Sequence, residues 1–149
     1  MGLSYRRGLH CIEEDARTLA CVEALKKGDF VTVGKHMTSS HNSLRDNFEV
    51  SCPEVNELID LALQVPGVLG SRMTGGGFGG KVFFFVVFVS SALFSLSIEL
   101  SIAGCTVTLL QPTAVELFKD LVGKRYNDNV GIDCVFYLAV PAHGAQAVV

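Results

Sequence analysis

The sequence predicts an α+β fold in which helices pack on a mostly antiparallel sheet. Apolar residues recur with helical spacing through the first part of the chain, up to about residue 63. Short β-branched runs follow, and they do not alternate with helices as repeated βαβ units. The length of 149 residues suits one domain with its own core. The expected order is three helices, a strand, a glycine loop, a strand, a helix and a strand.

The first two helices are marked by periodicity and by their ends. Between Tyr5 and Lys27, charges separate apolar residues at helical spacing. These apolar residues are Leu9, Ile12, Ala16, Leu19, Ala20 and Leu25. Gly28 ends this helix, and Asp29 is placed to cap a second helix from about Phe30 towards Leu44.

The third helix has a start signal and a stop signal. Ser51 is the predicted cap, Pro53 sits in the first turn, and Glu54 completes a capping box. The apolar residues of this helix are Val55, Leu58, Ile59, Ala62 and Leu63. The run Val65-Pro66-Gly67 ends it.

The remaining elements are strands around a fourth helix. The strand candidates are Val68–Met73, Cys105–Leu110 and Cys134–Leu138. A second capping-box spacing, from Thr113 to Glu116, predicts a helix that runs to about Arg125.

Composition argues against several classes of function. The net charge is −3 and the twelve basic residues are scattered, so nucleic-acid binding is not expected. The five cysteines (Cys11, Cys21, Cys52, Cys105 and Cys134) form no Cys-x-x-Cys pair or zinc spacing, and are interpreted as reduced thiols. The four histidines (His10, His36, His41 and His143) also lack metal spacing. The amino terminus has no apolar run typical of a secretory signal. We therefore expect no bound metal in this chain and a cytoplasmic location.

The stretch SRMTGGGFGGKVFFFVVFV, residues 71–89, fits two phosphate-binding patterns imperfectly. Gly75, Gly77 and Gly80 satisfy G-x-G-x-x-G, but a β-forming run follows where that motif needs a helix. Lys81 completes G-x-x-x-x-G-K, but Val82 replaces the hydroxyl that holds magnesium. Taken alone, the stretch is as well explained by a glycine-rich turn without a ligand.

The residues around the glycines carry a resemblance to a family. Gly70–Gly80 resembles the third signature motif of the galactokinases, which belong to a superfamily with the homoserine, mevalonate and phosphomevalonate kinases. Further resembling segments are Glu23–Phe30, Ser40–Glu54, Cys105–Leu110, Phe136–Leu138 and Gly144-Ala145. The resemblance covers nearly all of residues 5–80 and 105–149.

The resemblance implies a fold and a reaction. It implies the carboxyl-terminal domain of an enzyme that transfers the γ-phosphate of ATP to the C1 hydroxyl of galactose, using Mg²⁺. The glycine loop would lie beside the nucleotide phosphates in the active-site cleft. By resemblance, the cofactor-binding residues are Thr74, Gly75, Gly76, Gly77, Phe78, Gly79 and Gly80. Their expected role is contact or support rather than catalysis.

Other parts of the family pattern do not occur in these 149 residues. They are the galactose-recognition signature, the Pro-x-x-x-Gly-Leu-Ser-Ser-Ser type phosphate loop, and the catalytic Asp with its basic partner. No catalytic residue is therefore assigned, and Arg45 and Asp46 are interpreted as structural. We expect an incomplete kinase that is inactive alone. Three alternatives stay open: a kinase fragment for N-acetylgalactosamine or another small molecule, a non-catalytic sugar-responsive or partner-binding protein, and a membrane-associated fragment.

Residues 81–104 depart from the family, in which Gly80 runs directly into Cys105. We interpret them as a translated intron, because Gly-Lys-Val can be encoded by a splice-donor consensus and the Phe and Val run fits a T-rich tract. A genuine insertion packed in the core and a membrane segment at Val82–Ile98 are the alternatives. The strand Cys105–Leu110 keeps its family place only if the insertion loops out. Otherwise Val82–Val86 could replace it in register.

Overall fold

The computed structural model describes residues 2–78, 83–88 and 105–139, with residues 83–88 described by their backbone. The α-helices in these ranges are α1 (Leu3–Lys26), α2 (Phe30–Ser43), α3 (Pro53–Leu63) and α4 (Val115–Val130). The strands are β1 (Val68–Thr74), β2 (Phe83–Phe88), β3 (Cys105–Leu110) and β4 (Val135–Ala139). A π-helical turn (Leu44–Phe48) follows α2, and a 3₁₀ turn (Pro112–Ala114) precedes α4. The predicted elements are all present, and β2 is additional.

One of the three predicted helix caps is confirmed. Asp29 accepts hydrogen bonds from the backbone N–H of Thr32 at 3.0 Å and from its hydroxyl at 2.6 Å. The predicted cap at Ser51 is wrong, because Cys52 is the N-cap residue of α3. The Ser51 hydroxyl instead lies 2.7 Å from the Asn56 side-chain oxygen, which removes it from the helix end.

The predicted capping box of α4 is also wrong. The helix begins at Val115 with Ala114 as N-cap and no side-chain cap, because the 3₁₀ turn Pro112–Ala114 forms the entry to it. The helix continues beyond Arg125 to Val130 and ends at Gly131, whose φ of 72° is left-handed.

The sheet has the order β1-β3-β2-β4. The pair β1–β3 is antiparallel, with Arg72 opposite Val107 and Thr74 opposite Cys105. Strand β2 runs parallel to both β3 and β4. The α+β class is confirmed, but the described pairings are mixed where mostly antiparallel pairing is expected. The reason is β2, which comes from the segment 81–104 and lies in the same direction as its two neighbours.

The strand that follows residues 81–104 pairs with the strand that leads into the glycine loop. It is β3, not β2, that pairs with β1, so the alternative in which Val82–Val86 replaces Cys105–Leu110 in register does not occur. Residues 83–88 of this segment form part of the sheet, since β2 occupies the position between β3 and β4.

Helices lie on both faces of the sheet. Leu110 packs in a buried cluster with residues of α3 and α4, including Leu58 and Phe118. Its neighbour Leu109 packs with Ala24 of α1 and Val33 of α2. Because successive strand residues point to opposite faces, the two clusters lie on opposite sides of β3.

A close backbone contact fixes α2 against β1. A Cβ added to Gly34 would lie 2.2 Å from the carbonyl oxygen of Leu69, and one added to Gly70 would lie 2.0 Å from the carbonyl oxygen of Gly34. Only glycine permits this approach at both positions. The contact holds the strand that leads into the glycine loop.

Candidate functional site

The glycine loop leaves the sheet at the end of β1. Thr74 is the last residue of β1 and pairs with Cys105 of β3. Gly75 has a φ of 85°, Gly77 one of 79° and Phe78 one of 64°. The predicted site residues Thr74, Gly75, Gly76, Gly77 and Phe78 therefore form one turn, while Gly79 and Gly80 lie outside the described residues.

Gly77 is pressed against the backbone of Val50. The N–H of Phe78 donates a hydrogen bond of 2.8 Å to the Val50 carbonyl oxygen. A Cβ on Gly77 would meet that oxygen at 2.3 Å and the Met73 methyl at 3.0 Å. Both the positive φ and the contact demand glycine at this position. Packing within the protein is thus sufficient to explain why residue 77 is a glycine.

The middle of the loop is open. A Cβ on Gly76 would have no neighbour within 4 Å, and Gly76 is exposed. Phe78 is 77% exposed although its backbone is left-handed. The loop thus has a packed side at Gly77 and an accessible side at Gly76.

The π-helical turn Leu44–Phe48 leads into Val50, which contacts the glycine loop. The π-helical turn ends at Glu49, whose φ of 62° is left-handed, and the N–H of Val50 donates to the Leu44 carbonyl at 3.1 Å. Arg6 of α1 reaches this turn. Its guanidinium lies 2.6 Å from a Glu49 carboxylate oxygen and donates to the Asp46 carbonyl at 3.0 Å.

Arg45 and Asp46 form an ion pair with each other. The Arg45 guanidinium donates to both Asp46 carboxylate oxygens, at 2.7 and 2.9 Å. These hydrogen bonds lower the pKa of Asp46 below its usual value and raise that of Arg45. The arrangement supports the interpretation that the pair is structural, because each group satisfies the other.

Sequence reasoning finds the loop but misses its supports. Val50 contacts the loop through its carbonyl oxygen, and a main-chain contact leaves no signal in residue type. Arg6 lies far away in sequence and belongs to a helix that reads as an ordinary amphipathic segment. Two glycine positions with different environments, Gly76 and Gly77, also look identical in the sequence.

The described residues supply no cluster suited to a metal ion. Within residues 2–78, 83–88 and 105–139, no group of three or more His, Cys, Asp or Glu side chains is placed to hold one. All five cysteines lie in the described ranges, and none of them forms a disulfide. His10 and His41 are buried, and burial lowers the pKa of His41 to about 4. Across this part of the chain, no helix is both long and apolar enough to cross a membrane.

Comparison with known proteins finds similarity to one family of kinases. Residues 21–87 match the family described as GHMP kinases C terminal. Galactokinase of Homo sapiens is 40% identical over 142 residues, which are 95% of this chain and 29% of that protein. Galactokinase of Bos taurus is 38% identical over 143 residues, 96% of this chain and 29% of the relative.

A solved structure agrees with this match. The crystal structure of Lactococcus lactis galactokinase complexed with galactose superposes with a TM-score of 0.69 and 28% identity. The superposition covers 89% of this chain and 28% of the Lactococcus chain. The chain spans less than a third of the length of these relatives. Its residues 21–87 thus match the carboxyl-terminal family of the GHMP kinases, and nearly the whole chain is similar to a portion of the galactokinases.

Proposed function

We propose that this chain is the carboxyl-terminal part of a galactokinase-like enzyme that transfers the ATP γ-phosphate to the C1 hydroxyl of galactose. We also propose that it is inactive alone and works in the cytoplasm. The observation that carries the proposal is the glycine loop, which is packed at Gly77 and open at Gly76, in a chain homologous to galactokinases. An open backbone allows close approach of an anionic ligand.

The described loop suits a phosphate oxygen better than a metal ion. Thr74 to Phe78 offer backbone amides and one hydroxyl, and no carboxylate. The Phe78 amide is engaged by Val50, so contact with a phosphate would come from the other amides of the loop. In this proposal the phosphates of ATP lie against the loop. Mg²⁺, when bound, would neutralise phosphate charge, and residues other than the loop would hold it.

Inactivity of the isolated chain follows from what the loop lacks. Phosphoryl transfer depends on positioning and on electrostatic stabilisation around the γ-phosphate. The described loop residues carry no side chain that could accept the proton of a sugar hydroxyl. The loop would therefore support one wall of a site that other residues complete.

The test uses this chain in two contexts. Purified alone, it should show no galactose-dependent ADP formation, with intact human galactokinase as the positive control. A chimaera in which this chain replaces the matching portion of human galactokinase, made with and without residues 81–104, should phosphorylate galactose in at least one form. Gly76→Asp should lower kcat of the active chimaera, because it places a negative charge where phosphate is expected.

Three outcomes would reject parts of the proposal. Turnover by the isolated chain would reject its inactivity. A folded chimaera that phosphorylates N-acetylgalactosamine in preference to galactose would reject the sugar. A folded chimaera that phosphorylates neither would favour the non-catalytic alternative.

A further inference from the structure

Two strained residues flank the hydrogen bond that joins the π-helical turn to the glycine loop. In the part of the chain that the structure describes, the non-glycine residues with a positive φ are Glu49 (62°) and Phe78 (64°). Val50 directly follows Glu49, and its carbonyl oxygen accepts the 2.8 Å hydrogen bond from the Phe78 N–H. A left-handed backbone is unfavourable for a residue with a Cβ and persists only where surrounding contacts hold it. Other groups must therefore keep this junction in place.

Arg6 of α1 holds the Glu49 side of the junction. Its guanidinium lies 2.6 Å from a Glu49 carboxylate oxygen and donates a 3.0 Å hydrogen bond to the Asp46 carbonyl oxygen. The Arg6 and Glu49 side chains are 34% and 41% exposed, and an ion pair this accessible to water adds little to overall stability. The planar guanidinium does, however, fix two points of the turn at once. Its effect is therefore on the position of the turn.

Val50 transmits that position to the glycine loop. Its carbonyl oxygen binds the Phe78 N–H, which keeps the loop from moving away. The same oxygen lies 2.3 Å from where a Cβ on Gly77 would be, so the loop already sits as close as a glycine allows. The distance between the turn and the loop is thus limited in both directions. The open residue Gly76 precedes this contact directly.

We propose that Arg6 is a positioning residue for the glycine loop. Through Glu49 and Val50 it sets where the amides around Gly76 lie, and thereby how well they meet the phosphates of ATP. The inference rests on the proposed function for its ligand. Arg6 acts through the turn and not by contact with the phosphate. Small displacements of a group that positions a substrate have large effects on the reaction, so a modest ion pair can matter here.

The first experiment needs no turnover. Hydrogen exchange of the Phe78 amide, followed by NMR in the 149-residue chain, reports the hydrogen bond to Val50. Arg6→Gln should speed this exchange about tenfold, and Arg6→Lys, which keeps the charge but not the planar fork, should give an intermediate rate. The matched control is Arg7→Gln, which removes the same charge from the next, exposed residue of α1 and should leave the rate unchanged. Circular dichroism and thermal melting confirm that each variant folds.

The second experiment measures the kinetic consequence. In the active chimaera with human galactokinase, Arg6→Gln should raise KM for ATP about tenfold and leave KM for galactose unchanged. Arg6→Lys should recover part of the loss, and Arg7→Gln should behave as the unsubstituted chimaera. A merely structural role of Arg6 would instead reduce the amount of folded enzyme and leave both KM values as they were.

The outcomes separate this proposal from the proposed function. Unchanged Phe78 exchange in folded Arg6→Gln, or equal acceleration by Arg7→Gln, would overturn it, and so would faster exchange with an unchanged KM for ATP. Faster exchange in a chain whose folded chimaeras are all inactive would reject the proposed reaction and still support Arg6 as the residue that positions the loop. Glu49→Gln removes the same ion pair from the other partner. It should reproduce the faster exchange, and it decides the proposal if Arg6→Gln does not fold.

Discussion

At the scale of single residues, neighbouring glycines of one loop meet different physical demands. Gly77 has a left-handed backbone and no room for a Cβ, whereas Gly76 has nothing near it. The sequence predicts a glycine-rich turn but not which glycine is structural, because the deciding atom is a carbonyl oxygen of Val50. The ligand contact proposed above therefore belongs to Gly76 rather than to Gly77.

Gly77→Ala should lower the free energy of unfolding by about 1–3 kcal/mol, because a non-glycine residue is strained at this φ and its Cβ overlaps Val50. Gly76→Ala is the matched control and should change stability by less than about 0.5 kcal/mol. Urea unfolding followed by circular dichroism measures both. Equal stability of the two variants would contradict the packing seen at Gly77.

His41 predicts a loss of stability in mild acid. Its side chain is 1% exposed, neither ring nitrogen has a hydrogen-bond partner among the described residues, and burial lowers its pKa from 6.5 to about 4. The unfolded state therefore binds the proton more readily. The free energy of unfolding is therefore unaffected by His41 above pH 6.5. It falls as the pH decreases from 6.5 towards 4, by up to about 1.4 kcal/mol per pH unit.

Urea unfolding at pH 7, 6 and 5 tests this, with His41→Leu as the comparison. Burial also lowers the pKa of His10, so some pH dependence should remain in the variant. The slope should nevertheless become clearly smaller. An unchanged slope would show that His41 is not the group that binds the proton on unfolding.

At the scale of elements, helix positions follow from periodicity, while helix ends depend on competing partners. The second helix begins as its cap predicts. Ser51 is also a residue type that commonly caps a helix, but its hydroxyl donates a hydrogen bond to Asn56 instead. That partner is available only in the folded turn. For α1 the spacing predicts the helix correctly but not the direction of its apolar side, because that depends on which surface its neighbours leave exposed.

A side chain at the contact between Gly34 and Gly70 should push α2 away from β1 and destabilise the fold. Gly34→Ala places a Cβ 2.2 Å from the Leu69 carbonyl oxygen, so we expect the free energy of unfolding to fall by about 1–3 kcal/mol. Gly8→Ala in α1 meets nothing within 4 Å and should raise stability by up to about 1 kcal/mol through helix propensity. Thermal unfolding of both variants provides the comparison, and a neutral Gly34→Ala would argue against the close contact.

At the scale of the whole molecule, residues 83–88 supply the strand that lies between β3 and β4 in the sheet. Strand β2 pairs with β3 on one side and β4 on the other, so it links the two. The family resemblance predicts the loop, β1, β3 and their order correctly. It does not predict β2, because the resemblance is read as passing from Gly80 directly to Cys105, whereas the family match itself extends to residue 87. Whether the segment is a translated intron stays a prediction.

Deletion of residues 81–104 should therefore destabilise the chain, since β4 loses its described partner. We expect the Tm to fall, by roughly 4 °C for each 1 kcal/mol lost. Replacement of residues 89–104 alone by a Gly/Ser linker of equal length is the control, because it retains β2. A deletion variant as stable as the original chain would show that β2 adds nothing to the fold.

The strand order also determines when β2 can pair during synthesis of the chain. Both neighbours of β2 come later in the chain than β2 itself, so a ribosome releases this apolar strand before either of them exists. Pairings between distant segments form slowly, and an unpaired apolar strand is prone to aggregate while it waits. The yield of native chain should therefore depend on how long β2 remains unpaired during synthesis. That interval would limit recovery from cells more than the final stability of the sheet does.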